Sequence, residues 1–440
     1  MDPLKQLFAE KAKTLFAESR QLLKEHGNKK VDEVVLSQIY GGARGIKMML
    51  WETSRLDPIE GIRFRGYSIP QLKELLPGDS EGQPKPEGLF WLMLTGELPS
   101  QEQVDWLSKE WSSRGTVSDA TYKVLDSLPI TTHPMTQFTI GVMAMQPDSI
   151  FAARYDEGMA KDEYWDAVYE DSMNLIARLP RLAAYIYRRT FHGGKQIPAD
   201  NSLDWAANFA HMLGMPNKDF KSLMRLYLTI HADHEGGNAS AHTVHLVGSA
   251  LSDPYLSFAA GMNALAGPLH GLANQEVIKW ILAMNEKLGT DSPSKEQIAD
   301  YVRETLDNGQ VIPGYGHAVL RQPDPRFTAQ RKYAEKYLSD DPTIQTVWKI
   351  FDVVPDILGG LGKVKNPWPN VDAHSGAILM HYGLTEQTFY TVLFGVSRAL
   401  GVLAAQCWSR ALGMPLERPK SLTSEWVNQF LEKEAGVSAN

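Results

Sequence analysis

The chain has 440 residues, 43% of them hydrophobic and 22% charged, which are ordinary proportions for a globular protein with a large core. Its formal net charge of −8 argues against a nucleic-acid-binding protein, because such proteins usually carry a basic face. The single cysteine, Cys407, excludes an intrachain disulfide and favours a reducing compartment, and its apolar neighbours predict a packed core thiol.

The first predicted element is an amphipathic helix near the start of the chain, which Gly27 ends. Its apolar stripe consists of Leu4, Leu7, Phe8, Leu15, Phe16, Leu22 and Leu23. Asp2, Glu10 and Glu18 argue against a targeting peptide, since transit peptides contain few acidic residues. We therefore expect no targeting segment, and the compartment stays open between a bacterial cytoplasm and the mitochondrial matrix.

Capping boxes predict two further helices. Ser100 pairs with Gln103 at the start of one of them. Ser294 pairs with Gln297 at the start of the other, and Gly309 marks its end. Helical periodicity dominates throughout and period-two alternation is scarce, so the sequence predicts an all-α fold. Loops rich in helix breakers are predicted at 77–88, 192–201 and 289–294.

The most apolar stretch, residues 387–412, is predicted to form a long helix capped by Thr385. Arg398 interrupts this stretch and leaves eleven uncharged residues on each side, which is too few to span a bilayer. We therefore expect a buried core helix, in which the charge of Arg398 must be balanced by a partner.

Histidine, aspartate, arginine and helix-breaking residues converge in four segments. These are HADHEGGNASAHTVH at 231–245, GPLHGLANQ at 267–275, PGYGHAVLRQPDPR at 313–326 and NPWPNVDAHSG at 366–376. The first segment alone holds four of the twelve histidines. Side chains capable of acid–base chemistry thus cluster where glycines let a ligand approach the backbone.

Three other kinds of site fit these segments less well. The histidine pairs of 231–245 suggest zinc, but Asn238 stands where an H-E-x-x-H motif needs its second histidine. A serine hydrolase needs G-x-S-x-G after a strand, and GVSRA at 395–399 lacks the last glycine. GYG at 314–316 does not continue as a dinucleotide-binding motif requires.

Acid–base catalysis beside anion-binding arginines fits the segments best. His270 and His317 each follow a glycine-containing break, although a lone histidine in such a place is more often structural. Asp372 follows a turn, where an aspartate commonly caps a helix. Arg398 belongs either to a buried ion pair or to a carboxylate clamp, because guanidinium binds carboxylate in a bidentate way.

Taken in order, these segments resemble the citrate synthase family, in particular the dimeric type found in mitochondria and some bacteria. The matching motifs are HxDHEGGN, GPLHGLANQ, PGYGHAVLR, NVDAHSG and FGVSRALG, together with LDP and GIRFRGY between residues 56 and 67. The likeness runs from about residue 35 to the LERPKS segment that ends at residue 421. One such motif alone is weak evidence for the family, whereas the whole set in this order is specific for it.

The resemblance implies the condensation of acetyl-CoA with oxaloacetate and water to give citrate and CoA, the first step of the tricarboxylic acid cycle. It implies that Asp372 removes a methyl proton and that neutral His270 donates a hydrogen bond to the enolate oxygen. His317 would polarise the ketone of oxaloacetate and protonate the new alkoxide. No cofactor beyond the CoA thioester substrate and no metal are expected.

The resemblance also implies a homodimer, with no nucleic-acid or membrane partner. Oxaloacetate would be held by His234, Arg326, Arg398 and Arg418 of the partner subunit. CoA would contact Arg44, Lys161, Val311, Gly314, Tyr315, Arg321, Lys365 and Asn370. Lysine at 161 replaces an arginine expected in close relatives, which keeps the charge but loses the planar fork.

The implied fold has two helical lobes. The large lobe, 1–271 and 377–440, would form the dimer interface, and the small lobe, 272–376, would bind CoA and close over the site. A 2-methylcitrate synthase stays open as an alternative, because one methylene contributes only ~1–3 kcal/mol of discrimination. A metal-dependent hydrolase that uses the 231–245 histidines is a more distant alternative.

Overall fold

The computed structural model describes residues 2–362 and 364–437, and within helix 424–437 the side chains up to residue 434. Helices make up 63% of the chain and strands 3%, so the predicted all-α fold is confirmed. In chain order the α-helices are α1 Pro3–His26, α2 Leu36–Tyr40, α3 Ile69–Leu75, α4 Pro86–Thr95, α5 Gln101–Arg114, α6 Asp119–Asp126, α7 Pro134–Ala144, α8 Ile150–Asp156, α9 Tyr164–Phe191, α10 Trp205–Leu213, α11 Lys218–Ile230, α12 Ala239–Ser249, α13 Pro254–Leu265, α14 Ala273–Leu288, α15 Lys295–Asp307, α16 Pro325–Tyr337, α17 Pro342–Gly360, α18 Asp372–His381, α19 Tyr390–Ala411 and α20 Ser424–Val437. Short 3₁₀ turns lie at Gln146–Asp148, Lys161–Glu163 and Gln387–Phe389.

Local sequence signals place several helix ends as predicted. Ser100 and Gln103 cap α5 reciprocally. Ser294 and Gln297 do the same for α15, and Gly309 follows the end of that helix with a left-handed φ of 73°. These ends are local features, because each depends only on residues within one turn of the helix.

The central helix of the fold is α19, which packs against α4, α9, α11, α12 and α13. The stretch Gln387–Ala411 is long and apolar enough to cross a membrane, but 94% of its most apolar window is buried inside the protein. It is therefore a core helix, as predicted. Cys407 lies on this helix as a fully buried thiol, with Sγ 3.6 Å from Oγ of Ser172.

Two local predictions are wrong. Thr385 does not cap α19, because the 3₁₀ turn Gln387–Phe389 intervenes and Phe389 takes the cap position. The sequence analysis also misses a small antiparallel sheet with the order β1–β2–β3. Its strands are β1 Ser54–Asp57, β2 Gly61–Phe64 and β3 Tyr67–Ser68. They are too short for a period-two pattern to reveal them.

The sheet and the residues before it hold the turn between α11 and α12. One carboxylate oxygen of Asp233 accepts hydrogen bonds from Trp51 Nε1 at 3.0 Å, Thr53 Oγ1 at 2.5 Å and Ser54 Oγ at 2.8 Å. Asp233 and Thr53 are fully buried, so these bonds also satisfy groups that would otherwise lose their hydration. The sheet thereby fixes a turn that carries candidate site residues.

The turn between β1 and β2 rests on the segment that leads into α16. Gly61 has a φ of 82°, and a Cβ there would lie 2.4 Å from ring atoms of Pro325, so only glycine fits. The amide of Arg321 donates to the carbonyl of Pro58 at 2.7 Å. This contact joins the N-terminal part of the chain to segment 313–326.

Helices α14 to α18 form a second packed group. Within it α14 contacts α18, α15 contacts α17, and both α16 and α17 contact α18. Contacts of α16 with α3 and α11 connect this group to the rest of the protein. The predicted lobe boundary at 272 coincides with the start of α14, whereas the boundary after 376 falls inside α18. The division into two lobes stays a prediction.

Candidate active site

The turn between α11 and α12 carries the first site residue, His234. The second carboxylate oxygen of Asp233 accepts the amide of His234 at 2.9 Å. Asn238 caps α12 by accepting the amide of Ala241 at 3.1 Å. His234 is 6% exposed, and its Nε2 has no hydrogen-bond partner within the described chain. A buried, unsatisfied ring nitrogen is unusual, and a polar ligand would satisfy it.

Arg398 places a cation in the core, with 1% of its surface exposed. Its Nε donates to the carbonyl of His231 at 3.2 Å, and its Nη1 donates to Asn238 Oδ1 at 2.9 Å and Ser240 Oγ at 3.2 Å. The guanidinium stands 4.8 Å from the ring centroid of Phe394. Burial lowers its pKa to about 10. These partners are neutral, so the buried ion pair considered from the sequence is not found among the described residues, and an anionic ligand would balance the charge.

His270 lies in the break between α13 and α14. The amide of Ser240 donates to its Nε2 at 3.3 Å, and Oγ of Ser240 lies 2.9 Å from the same nitrogen. Because an amide N–H can only donate, the network assigns the proton of the neutral ring to Nδ1. Burial, with the charges of Arg398 and Arg326, lowers the pKa of His270 to about 3. The ring is therefore a neutral hydrogen-bond donor at physiological pH.

His317 is the second neutral imidazole of the site. Its Nδ1 accepts the amides of Val319 at 3.0 Å and Leu320 at 3.1 Å, which leaves the proton on Nε2. Burial, followed by the charge of Arg326, lowers its pKa to about 4. The rings of His317 and His234 lie 5.2 Å apart. His317 is thus a neutral ring, with its proton on Nε2, that lies edge-on to the buried ring of His234.

Asp372 is the candidate base. It is the first residue of α18 rather than its N-cap, which is Val371, and its amide donates to Asn370 Oδ1 at 3.0 Å. Its Oδ1 is buried and lacks a hydrogen-bond partner among the described residues. Burial raises its pKa to about 7. A carboxyl with this pKa can exchange a proton near neutral pH.

Asn370 connects the loop 313–326 to the start of α18. Its amide donates to the carbonyl of Gly314 at 2.9 Å, and its side chain donates to that of Gly316 at 3.3 Å. Tyr315 forms an isolated bridge with Pro369. Gly314 has a φ of 80°, and a Cβ there would lie 2.9 Å from the backbone of the helix that begins with Asp372. The loop that carries His317 is thus fastened to the start of α18.

Arg326 differs from Arg398 in having a carboxylate partner. Its Nε lies 3.0 and 3.1 Å from the two oxygens of Asp324, and its Nη2 lies 2.7 Å from one of them. Both residues are buried. Burial alone would raise the pKa of Asp324, but the charge and hydrogen bonds of Arg326 outweigh it and lower that pKa. The pair is a fixed bidentate contact with little net charge.

Several predicted ligand-binding residues lie outside this cluster. The exposed ones are Arg44, Lys161, Val311, Lys365 and Arg418. The side chain of Arg418 donates to the carbonyl of the next residue, Pro419, at 3.3 Å. Nη1 of Arg321 donates to the carbonyls of Val319 at 2.8 Å and Leu320 at 2.7 Å. Their roles in binding CoA or oxaloacetate stay predictions.

The remaining histidines of 231–245 make internal contacts. Nδ1 of His231 lies 2.9 Å from the carbonyl of Tyr227. His242 and His245 face Glu417, with nitrogen–oxygen distances of 2.9 and 3.5 Å. Across the part of the chain that the structure describes, no group of three or more His, Cys, Asp or Glu side chains is arranged to hold a metal ion. His231 and His242 thus make hydrogen bonds within the chain, and His245 lies near the carboxylate of Glu417.

Three residues that hold the site together carry no recognisable sequence motif of their own. Asn238 and Ser240 orient Arg398, and Ser240 also fixes the tautomer of His270. Asp324 fixes Arg326. The available signal was their position at helix starts, where small polar residues are common for reasons of capping alone.

An unpartnered carboxylate, two neutral imidazoles and an unbalanced guanidinium define the site of an acid–base enzyme that acts on a carboxylate-bearing substrate. The family model described as "Citrate synthase, C-terminal domain" matches residues 42–420. The chain belongs to the citrate synthase family.

The relatives agree along nearly the whole chain. "Citrate synthase, mitochondrial" of Daucus carota is 57% identical over 98% of this chain and 90% of its own length. "Citrate synthase 4, mitochondrial" of Arabidopsis thaliana is 58% identical over 94% of this chain and 87% of its own. The solved citrate synthase of Pyrobaculum aerophilum has a TM-score of 0.76 at 26% identity, covering 90% of this chain and 95% of that one. The predicted family is therefore confirmed.

Proposed function

We propose that this chain is a citrate synthase, which condenses acetyl-CoA with oxaloacetate and water to give citrate and CoA. The curated relatives that carry this name, at 55–58% identity, support the assignment. The single structural observation that carries it is Arg398, a buried guanidinium whose partners are all neutral. A dicarboxylic substrate supplies the missing negative charge.

In this proposal oxaloacetate binds between Arg398 and Arg326. Arg326 reaches one carboxylate while Asp324 keeps its fork in a fixed plane. His234 contributes its unsatisfied Nε2 to the ligand. Arg418 of the partner subunit completes the set. In this chain the same residue is exposed, and its side chain donates to the carbonyl of Pro419.

Proton removal from the acetyl methyl group falls to Asp372. Its raised pKa, about 7, makes the carboxylate a stronger base than an ordinary aspartate. Nδ1–H of His270 donates to the thioester oxygen, where negative charge develops as the enolate forms. Because that imidazole has a pKa of about 3, it stabilises the enolate as a neutral donor.

Carbon–carbon bond formation involves His317. The enolate carbon attacks the ketone carbon of oxaloacetate while the Nε2 proton of His317 passes to the ketone oxygen, which becomes the hydroxyl of citryl-CoA. The proton that Asp372 took from the methyl group then returns the ring of His317 to its neutral form. Water then attacks the thioester carbonyl, and CoA leaves as its thiol. Both steps occur in a site where buried, fixed donors replace water.

CoA binds along the 311–316 loop in this proposal. Exposed Val311 leaves backbone accessible to adenine, and the buried, left-handed Gly314 shapes the loop next to Tyr315. Asn370 shapes this loop through its bond to Gly314. The phosphates meet the cations Arg44, Lys161, Arg321 and Lys365.

The protein acts as a homodimer whose small lobe closes over the site. Helices α14–α18 move relative to the rest, and closure excludes water before the reaction begins. Superimposable solution scattering profiles with and without oxaloacetate would contradict this closure. The names of the plant relatives support the mitochondrial matrix as the compartment.

The decisive assay is free-thiol release from acetyl-CoA and propionyl-CoA, each with and without oxaloacetate. We expect release that requires oxaloacetate and is faster with acetyl-CoA, as the names of the relatives favour. Faster release from propionyl-CoA would make the protein a 2-methylcitrate synthase. Release independent of oxaloacetate would point to a thioester hydrolase.

A further inference from the structure

The segment between α19 and α20 contains an anchored residue directly before Arg418. Residues 414–423 have no regular secondary structure. Arg418 is exposed, and its side chain donates to the carbonyl of Pro419, its own neighbour. The direction in which this guanidinium leaves the chain therefore depends on how the backbone beside it is held.

Glu417 is held at two points. Its amide donates to Oγ of Ser249 at 3.0 Å. Its Oε1 lies 2.9 Å from Nε2 of His242. Its buried Oε2 lies 3.5 Å from Nε2 of His245 and has no hydrogen-bond partner among the described residues. The carboxylate is 14% exposed, although both flanking residues are exposed.

The anchor belongs to the same helix as the site of this chain. His242, His245 and Ser249 all lie on α12, where positions three apart share one face. The first turn of α12 carries Ser240, which contacts His270 and Arg398. A single rigid helix thus fixes both the local site and the backbone next to Arg418.

We propose that Glu417, held by Ser249 and His242, is a positioning residue for Arg418. With its amide and its carboxylate both fixed, the peptide that joins it to Arg418 has little freedom, so the guanidinium is directed toward oxaloacetate in the neighbouring subunit before substrate arrives. This inference rests on the proposed function, in which Arg418 crosses the dimer interface. It gives His242 a role other than metal binding.

The test is a double-mutant cycle on the full-length protein with E417A, R418A and the double variant. Free-thiol release gives kcat and the KM of each substrate, and light scattering checks that each variant is a dimer. We expect E417A to raise the KM of oxaloacetate about tenfold and to leave the KM of acetyl-CoA within about twofold, as loss of a binding contact to one substrate requires. The double variant should bind oxaloacetate no more weakly than R418A, because Glu417 acts through Arg418.

The outcomes separate this inference from the function on which it rests. Unchanged oxaloacetate KM in E417A beside a raised value in R418A would overturn the positioning role and keep the cross-subunit arginine. Additive effects in the double variant would also overturn it, since Glu417 would then act independently. If R418A itself has no effect, the cross-subunit clamp fails and the positioning role fails with it.

A milder variant guards against a folding defect. E417Q keeps the shape of the side chain and an oxygen that accepts from His242, so we expect an oxaloacetate KM between those of the wild type and E417A. A general structural defect would instead change the KM of acetyl-CoA and kcat in parallel. That parallel change in both variants would overturn the inference.

Discussion

The candidate site has two walls that handle charge in opposite ways. The core wall, His234, His270 and Arg398, is carried by α19 and by the turns on either side of α12 and α13. The loop wall, His317, Arg326 and Asp372, belongs to segments 313–326 and 366–376. On the core wall the guanidinium has only neutral partners, whereas on the loop wall the guanidinium is paired with a buried carboxylate.

This difference separates binding from chemistry. Arg398 keeps its charge available, and its field helps to hold the neighbouring His270 neutral, whose pKa is about 3. Arg326 is largely offset by Asp324, so Asp372 feels mainly its own burial and keeps a pKa of about 7. A full positive charge next to Asp372 would lower its pKa and weaken it as a base. If Asp372 is the base, as proposed, the pairing of Arg326 preserves its basicity.

The largest expected effect lies on the loop wall, in Asp372→Asn. The amide has nearly the same shape but cannot accept the methyl proton, so we expect kcat to fall by roughly 10³-fold or more, at the upper end of what a positioned base contributes. Oxaloacetate affinity should persist, because the core wall is intact. Thiol release and calorimetric titration with oxaloacetate measure the two quantities. Turnover close to that of the wild type would remove Asp372 from the role of base.

The next effect compares how much folding stability the protein loses when each of the two arginines is replaced. Arg326→Met leaves Asp324 buried without its partner, which should cost roughly 3–5 kcal/mol of unfolding free energy. Arg398→Met leaves only neutral acceptors unsatisfied and should cost less, about 1–3 kcal/mol. Urea unfolding without substrate, at one protein concentration, measures both, because dimer stability depends on concentration. Equal losses would contradict the contrast between the walls.

A smaller effect is expected for Arg398→Lys. The lysine keeps the charge but cannot bind a carboxylate with two parallel bonds, so we expect oxaloacetate to bind about 10- to 100-fold more weakly, as for loss of a strong charge-assisted contact. The matched control is Arg303→Lys, at an exposed pair with Asp300 on α15, which should leave affinity unchanged. Affinity retained in Arg398→Lys would show that point charge alone is sufficient.

The features that the sequence predicts are those with a local cause. The caps at Ser100 and Ser294 and the core helix around Arg398 follow from patterns within one element. The short strands escape prediction because pairing with a distant segment, rather than alternation, stabilises them. Thr385 was assigned to the wrong helix start because the sequence gives no sign of the 3₁₀ turn at 387–389.

The properties of the site also divide into those that the sequence predicts and those that it does not. Motif likeness names His270, His317 and Asp372, but it gives neither their tautomers nor their pKa values. Those depend on Ser240 and on burial, which arise only when segments far apart in the chain pack together. For the same reason the sequence alone does not decide whether Arg398 pairs with a carboxylate of the chain or with a ligand. In the fold, the groups that accept its hydrogen bonds are all neutral.

The smallest effect concerns the pH dependence of activity. It tests whether Asp372 changes its protonation while His270 and His317 stay neutral. The pKa of Asp372 is raised to about 7, so in the free enzyme the base becomes ionised as pH rises through that value. The pKa values of His270 and His317 are about 3 and about 4, so both rings stay neutral over this range. We therefore expect kcat/KM for acetyl-CoA to rise through pH about 7 and to level off above it. Its value at the midpoint should be about half of the plateau value.

The stability of the folded protein should show the opposite trend from activity. A carboxyl whose folded pKa lies above its unfolded value of 3.8 stabilises the fold when protonated, and that contribution is lost as pH rises toward about 7. Asp372→Asn lacks this titration, so its unfolding midpoint should exceed that of the wild type by a margin that grows with pH across this window. Thermal unfolding at a series of pH values measures the margin. A constant margin would mean that Asp372 is ionised in the folded protein over this whole pH range. A rise of kcat/KM near pH 7 would then have to come from another titratable group. The core wall, whose histidine His270 stays neutral, does not offer one.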